Sequence, residues 1–220
     1  MQPTISAKER TAPRIGAVCI VLAIVALIAL LPKRYHLVPA AFIYAEIAII
    51  IVPMVLVSVI PGNRFLRRLE RPAEFVAVGG ALFFNSANIL IAAYNVVEFP
   101  PKLDPVTLFY TSVGVWFGNI LIFTLLYWLL DSGGPDARLR HEQQYPDFDF
   151  PAMEEGAHVA RGWLPGIVDY LFLAFTTSTA FSPTEAMPLT SRAKMLMLVQ
   201  SSISLVTIAI VAARTINILK

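Results

Sequence analysis

The chain has 220 residues, 57% of them hydrophobic and only 15% charged, with a mean hydropathy of +0.68. A soluble domain of this length carries ~45–50% apolar residues, so the composition excludes an ordinary soluble fold and points to a bilayer. A net charge of +2, with Lys and Arg gathered between apolar runs, gives no nucleic-acid surface, and the one cysteine, Cys19, excludes an internal disulfide or a cysteine metal cluster.

Residues 1–14 form a tail that carries Lys8, Arg10 and Arg14. Five apolar runs follow, each long enough to cross ~30 Å of hydrocarbon as a helix: Ile15–Leu31, Leu37–Ile60, Phe75–Glu98, Val106–Leu130 and Met195–Ile218. Lipid offers no partner to a free backbone amide, and the alternating pattern of a barrel strand is absent, so all five are predicted helical. The connectors "LPKRYH", "PGNRFLRRLERPAE" and "EFPPKLDP" are short, charged and Pro-rich. The first run resembles a signal peptide in having basic residues before it. Lys33 and Arg34 follow it directly, however, and no small-residue cleavage site adjoins it, so it reads as a retained span.

Polar residues inside the runs are costly and therefore informative. Counting ~1.5 Å per residue from each midpoint puts Glu46, Asn88, Asn119 and Ser204 within about 4 Å of the bilayer centre, with Asn85 close by. A carboxylate at that depth costs about 2.5–3.5 kcal/mol, so Glu46 must be protonated, paired or facing a wet cavity. Asn85 and Asn88 share one helical face, and Gln200, Ser204 and Thr207 form a matching stripe on the last run. The stripes read either as a midplane proton or ion site or as a hydrogen-bonded layer that fixes helix packing. Gly114 and Gly118 make a GxxxG step for close helix approach, within or between subunits. Pro53 should kink the second run beyond Glu46. Trp116, Trp128, Tyr110 and Tyr127 suit interface belts or packing, and Arg214 snorkels.

Between the fourth and fifth runs lies a polar stretch, 131–163. Its Asp147, Asp149, Glu154, Glu155, His141 and His158 match no ligand spacing and read as solvated loop residues, so neither a metal nor another cofactor is expected. Nucleophile-elbow, zinc-protease and phosphate-loop motifs are absent, which leaves an enzyme without support, and no internal repeat marks an inverted-repeat transporter.

The C-terminal part, 164–220, contains "VDYLFLAFTTSTAFSPTEAMPLTSRAKM". Four consecutive hydroxyl residues, Thr176, Thr177, Ser178 and Thr179, end an aromatic segment that starts near Asp169, a candidate helix cap. This layout is similar to the pore helix and inner helix of potassium channels. Together with "YPDFDFP", the stretch from Tyr145 to the C-terminus also resembles a bacterial family of uncharacterised multi-spanning membrane proteins, a domain of unknown function, whose first four spans match mostly in layout. The channel resemblance implies a pore helix, a monovalent cation path and a homotetramer; the family resemblance implies a bacterial inner membrane. The channel filter "TVGYG" is replaced here by Thr177 to Ser182 with no glycine, so a stack of inward carbonyls is not expected and hydroxyl oxygens would have to serve.

The expected architecture is an all-α integral membrane protein: a four-helix bundle over 15–130, the polar loop, and a re-entrant or pore-helix-like segment before the fifth span. A sixth full span over 163–181 is the alternative. Basic residues place the N-terminus in the cytoplasm, with Arg64, Arg67, Arg68, Arg71, Arg138, Arg140 and Arg161. Three functions remain open: a channel-like cation pore lined by the hydroxyl row, a proton-coupled or small-solute transporter using Glu46, and a scaffold without transport.

Overall fold

The computed structural model describes residues 7–30, 48–49, 52, 64–98, 105–139, 145–153, 163–179 and 186–218. Most of the second expected span, with Glu46 and Pro53, lies outside the described residues, as do His141, Glu154, Glu155 and His158; the side chains of Asn88 and Arg214 do too. The described residues are mainly helical: α1 (Ala7–Leu30), α2 (Arg64–Glu98), α3 (Pro105–Leu130), α4 (Pro135–Leu139), α5 (Ile167–Ser178) and α6 (Ser191–Ile218). One small antiparallel ladder joins β1 (Phe148–Asp149) to β2 (Met187–Pro188), with Phe148 opposite Pro188 and Asp149 opposite Met187.

Among the described residues, Tyr110–Gly133 and Ser191–Ala212 are long and apolar enough to cross a membrane, while Ile15–Leu27 and Ile167–Ser178 are shorter apolar helices. The second helix begins at Arg64, inside what reads from sequence as a connector, and carries Pro72 early in its length. Ahead of that proline lie Arg64, Phe65, Leu66, Arg67 and Arg68, which favour or tolerate helix.

α3 is the centre of the bundle. It is apolar on every side, and Ile120, Ile122, Phe123, Leu125, Tyr127, Trp128 and Leu129 are all buried. It touches α1, α2, α5 and α6. Tyr127 and Trp128 therefore serve packing and do not sit in an interface belt. The GxxxG step is used inside the chain: Gly114 is buried, and Gly118 lies beneath the Asn85 side chain and Leu27. In contrast, α6 leaves Met195, Leu198, Val199, Leu205, Val206 and Ile208 exposed, an apolar face that water does not favour.

Contacts along α3 give the direction of every other helix. Leu27 of α1 meets Gly118, whereas Gly16 meets Ile167, close to where Tyr170 reaches Asp131 at the far end of α3. On α2, Asn85 lies against Gly118 and Ile89 clusters with Val115. Tyr170 of α5 bonds Asp131, and Phe175 stacks edge-on with Trp116. At the start of α6 Arg192 is tied to Asp147, which lies beside Asp131, and Ser204 bonds Asn119. So α1, α2, α5 and α6 all run antiparallel to α3, and their N-termini gather at its C-terminal end.

Consecutive helices α5 and α6 are thus parallel, and the chain must return between them. α5 has 12 residues, about 18 Å of helix, against the ~30 Å of a full crossing. By Met187 the chain is back at β1, at the end where α5 began.

The chain turns out of α3 through three successive positive-φ residues, Ser132 (52°), Gly133 (77°) and Gly134 (94°). Glycine adopts this region freely, while Ser132 is strained there and is held by bonds to Asp131 and Asp147.

Gly16 tests the docking of α1 on α5. A Cβ there would overlap the branched side chain of Ile167. Gly16→Ala should lower stability in detergent by about 1–3 kcal/mol as overpacking, and Gly16→Ala/Ile167→Ala should recover part of the loss. Thermal unfolding followed by circular dichroism reads both.

Candidate functional site

Two polar constellations are built where the sequence is otherwise apolar. The first ties down the end of the bundle where α5 and α6 begin. Asp131, fully buried, follows α3 directly. Its Oδ1 accepts the Asp147 N–H (2.8 Å), the Phe148 N–H (3.3 Å) and the Ser132 hydroxyl (3.2 Å), and its Oδ2 accepts the Tyr170 hydroxyl (2.5 Å). Arg138 of α4 donates to the Trp128 and Asp131 carbonyls at 2.9 and 2.7 Å, capping the open end of α3, and lies over the Tyr170 ring. Burial lowers the Arg138 guanidinium from its ordinary value, opposed by Tyr170 and Asp131.

Asp147 is the second carboxylate of this knot. It is 1% exposed. Arg192 grips it with Nε at 2.6 Å and Nη2 at 2.5 Å, Thr190 donates its hydroxyl at 2.6 Å, and the Ser132 N–H reaches Oδ2 at 3.3 Å. Thr190 Oγ1 also accepts the Ala193 N–H and so caps α6, which places the carboxylate against a helix N-terminus. Burial pushes the Asp147 carboxyl up, but the Arg192 and Thr190 hydrogen bonds and the Arg192 charge outweigh it, holding the group below the usual carboxylate range. Reading Asp147 as a solvated loop residue is therefore corrected: the β1–β2 ladder carries it under the start of α6.

The second constellation lies midway along α3. Asn119 Nδ2 donates to Ser204 Oγ (2.9 Å) and to the Gln200 carbonyl (3.3 Å). The Gln200 amide accepts the Tyr127 hydroxyl at 2.5 Å and donates to the Ala174 carbonyl (2.7 Å) and Ser178 Oγ (2.8 Å). One side chain of α6 thus joins α3 to α5. Three members of the expected polar layer, Asn119, Gln200 and Ser204, come together here. Asn85 stands at their level on α2, and Glu46 and the Asn88 side chain lie outside the described residues.

The hydroxyl row of α5 does not present four open hydroxyls. Thr176 donates to the Phe172 and Leu173 carbonyls, Thr177 to Leu173, and Thr179 to Phe175 and Thr176, all on their own helix. Ser178 accepts from Gln200, and Thr176, Thr177 and Ser178 are buried. Asp169 acts at the other end of α5, where its Oδ2 accepts the Gly166 N–H at 2.7 Å. Asp131, Tyr170, Arg138 and Arg192 escape sequence reading because each looks ordinary alone; "DSGG" after an apolar run was the one local signal of a special turn.

Searches of family models, curated proteins and solved structures return no match for this chain.

Two variants measure the knot. Arg192→Ala leaves a buried carboxylate with only hydroxyl and amide donors, and should cost about 2 kcal/mol, below the ~3–5 of a fully buried pair because half the arginine side chain is open to solvent. Asp147 adds a pH signature. Its folded value lies below the unfolded ~3.9, so its stabilisation is present above about pH 4 and is lost as pH falls through the folded value. The midpoint of thermal unfolding should drop below about pH 4 in the wild type, and less so in Asp147→Asn.

Proposed function

We propose that the protein is a five-span membrane protein in which α5 is a half-helix dipping in from the cytoplasmic side, and that a small monovalent cation passes along its inner end. The observation that carries this reading is the parallel course of α5 and α6. A helix that stops halfway leaves its last carbonyls inside the hydrocarbon region, which is tolerated only in a protein-lined or wet cavity. α1 and α2 also run parallel, which supports a crossing by the second apolar run between them. Their N-terminal turns, with Arg138 and the start of α6, bring Lys8, Arg10, Arg14, Arg64, Arg67, Arg68, Arg71, Arg192 and Lys194 to one end. Positive charge of this kind stays in the cytoplasm.

The inner end of α5 carries the negative pole of its helix dipole, which favours a cation. Its threonine hydroxyls spend their protons on their own helix, and each oxygen keeps lone pairs that a cation can use. Burial of Thr176, Thr177 and Ser178 within one chain favours a path inside the subunit over a shared tetrameric axis. Without filter glycines, potassium selectivity is not part of the proposal. Kinship with the bacterial multi-spanning family that its C-terminal part resembles, and residence in the inner membrane, belong to the same reading.

A second reading is a scaffold without transport, favoured by the internal bonding of Gln200 and the α5 hydroxyls. Reconstitution separates the two. Proteoliposomes of the wild type should show cation flux at least several-fold above empty vesicles, and Thr176/Thr177/Thr179→Ala should abolish it with the fold intact. Flux equal to empty vesicles from folded wild type would leave the scaffold.

A further inference from the structure

Not every atom of the polar layer is satisfied. Asn119 is fully buried, its amide nitrogen is committed to α6, and its Oδ1 has no hydrogen-bond partner among the described residues. Asn85 Nδ2 is likewise buried and unpartnered among them. One is an acceptor and the other a donor, on facing helices. Their register is given by two contacts: Ile89 clusters with Val115 one turn away, and the Asn85 side chain rests on Gly118, the residue next to Asn119. In an antiparallel pair, four residues back on α2 and four forward on α3 stay level, so Asn85 stands opposite Asn119.

We infer that a single bound water molecule bridges the two amides, accepting from Asn85 Nδ2 and donating to Asn119 Oδ1. A buried donor or acceptor left bare is destabilising, and a water with two or more polar partners is the ordinary remedy. Water fits the chemistry better than an ion. A cation is repelled by the Asn85 N–H and an anion by the Asn119 oxygen, whereas water serves both atoms at once. With this molecule polar contacts connect four helices: the Gln200 side chain of α6 to Ser178 on α5, the Gln200 carbonyl to Asn119 on α3, and Asn119 through water to Asn85 on α2. The site shares the polar layer with the proposed cation path but does not require conduction, so flux measurements and the test below fail independently.

The test is a double-mutant cycle on the full-length protein in lipid nanodiscs, read as the midpoint of thermal unfolding. Asn85→Ala should lower the midpoint in the wild type and lower it by less than half as much in the Asn119→Ala background, because the bridge has already lost its other end. Equal losses in the two backgrounds would overturn the inference. Should Asn119→Ala fail to fold, a wild-type cryo-EM map fine enough to show ordered solvent decides. Density within hydrogen-bond distance of both Asn119 Oδ1 and Asn85 Nδ2 is the expected result, and a protein side chain bonded directly to either atom refutes it.

Discussion

The structure depends on two aspartates that share one end of the bundle. Asp131 and Asp147 are buried side by side, and neither carboxyl group would be stable there without partners. Arg192 and the α6 N-terminus neutralise Asp147; the Tyr170 hydroxyl, two backbone amides and Ser132 surround Asp131. Each partner comes from a different stretch of chain. Satisfying the two carboxylates therefore brings together the end of α3, the β1–β2 ladder, the first turn of α5 and the start of α6. Apolar packing alone is non-directional and would not select these positions, whereas each of these hydrogen bonds fixes one partner at one place.

Deeper in the bundle Gln200 does the corresponding work with neutral groups. Its amide is fully buried and links Tyr127, Ala174 and Ser178, so rotation of α6 by one residue would break three bonds to two helices. The knot fixes where α5 and α6 begin, and this amide fixes their rotation. A half-length helix with many back-bonded threonines would otherwise have little to hold it at one depth.

Much of the architecture was legible from the chain. Apolar runs of spanning length marked α3 and α6, since nothing but a helix satisfies so many backbone groups in lipid, and a 3.6-residue spacing grouped Gln200 with Ser204 and placed Asn119 at their level. The short aromatic segment ending in hydroxyls was readable as re-entrant or spanning; α5's direction could be decided only by contacts far apart in sequence. The knot was illegible for the same reason. Asp147 sits in a loop of many carboxylates, and what distinguishes it is a strand pairing two residues long and an arginine 45 positions away. Arg192 looks ordinary in the sequence, and it is the partner that lets Asp147 be buried.

The parallel course of α5 and α6 also constrains biogenesis. A segment of 12 residues is too short to be accepted by a translocon as a membrane anchor in its own right. While the ribosome has made nothing beyond residue 190, the nascent chain has neither Gln200 nor Arg192, and α5 has no lateral support on that flank. Docking of α5 on that flank therefore follows α6, and a chain lacking residues 191–218 would hold its threonine-rich segment without the Gln200 amide that fixes its rotation.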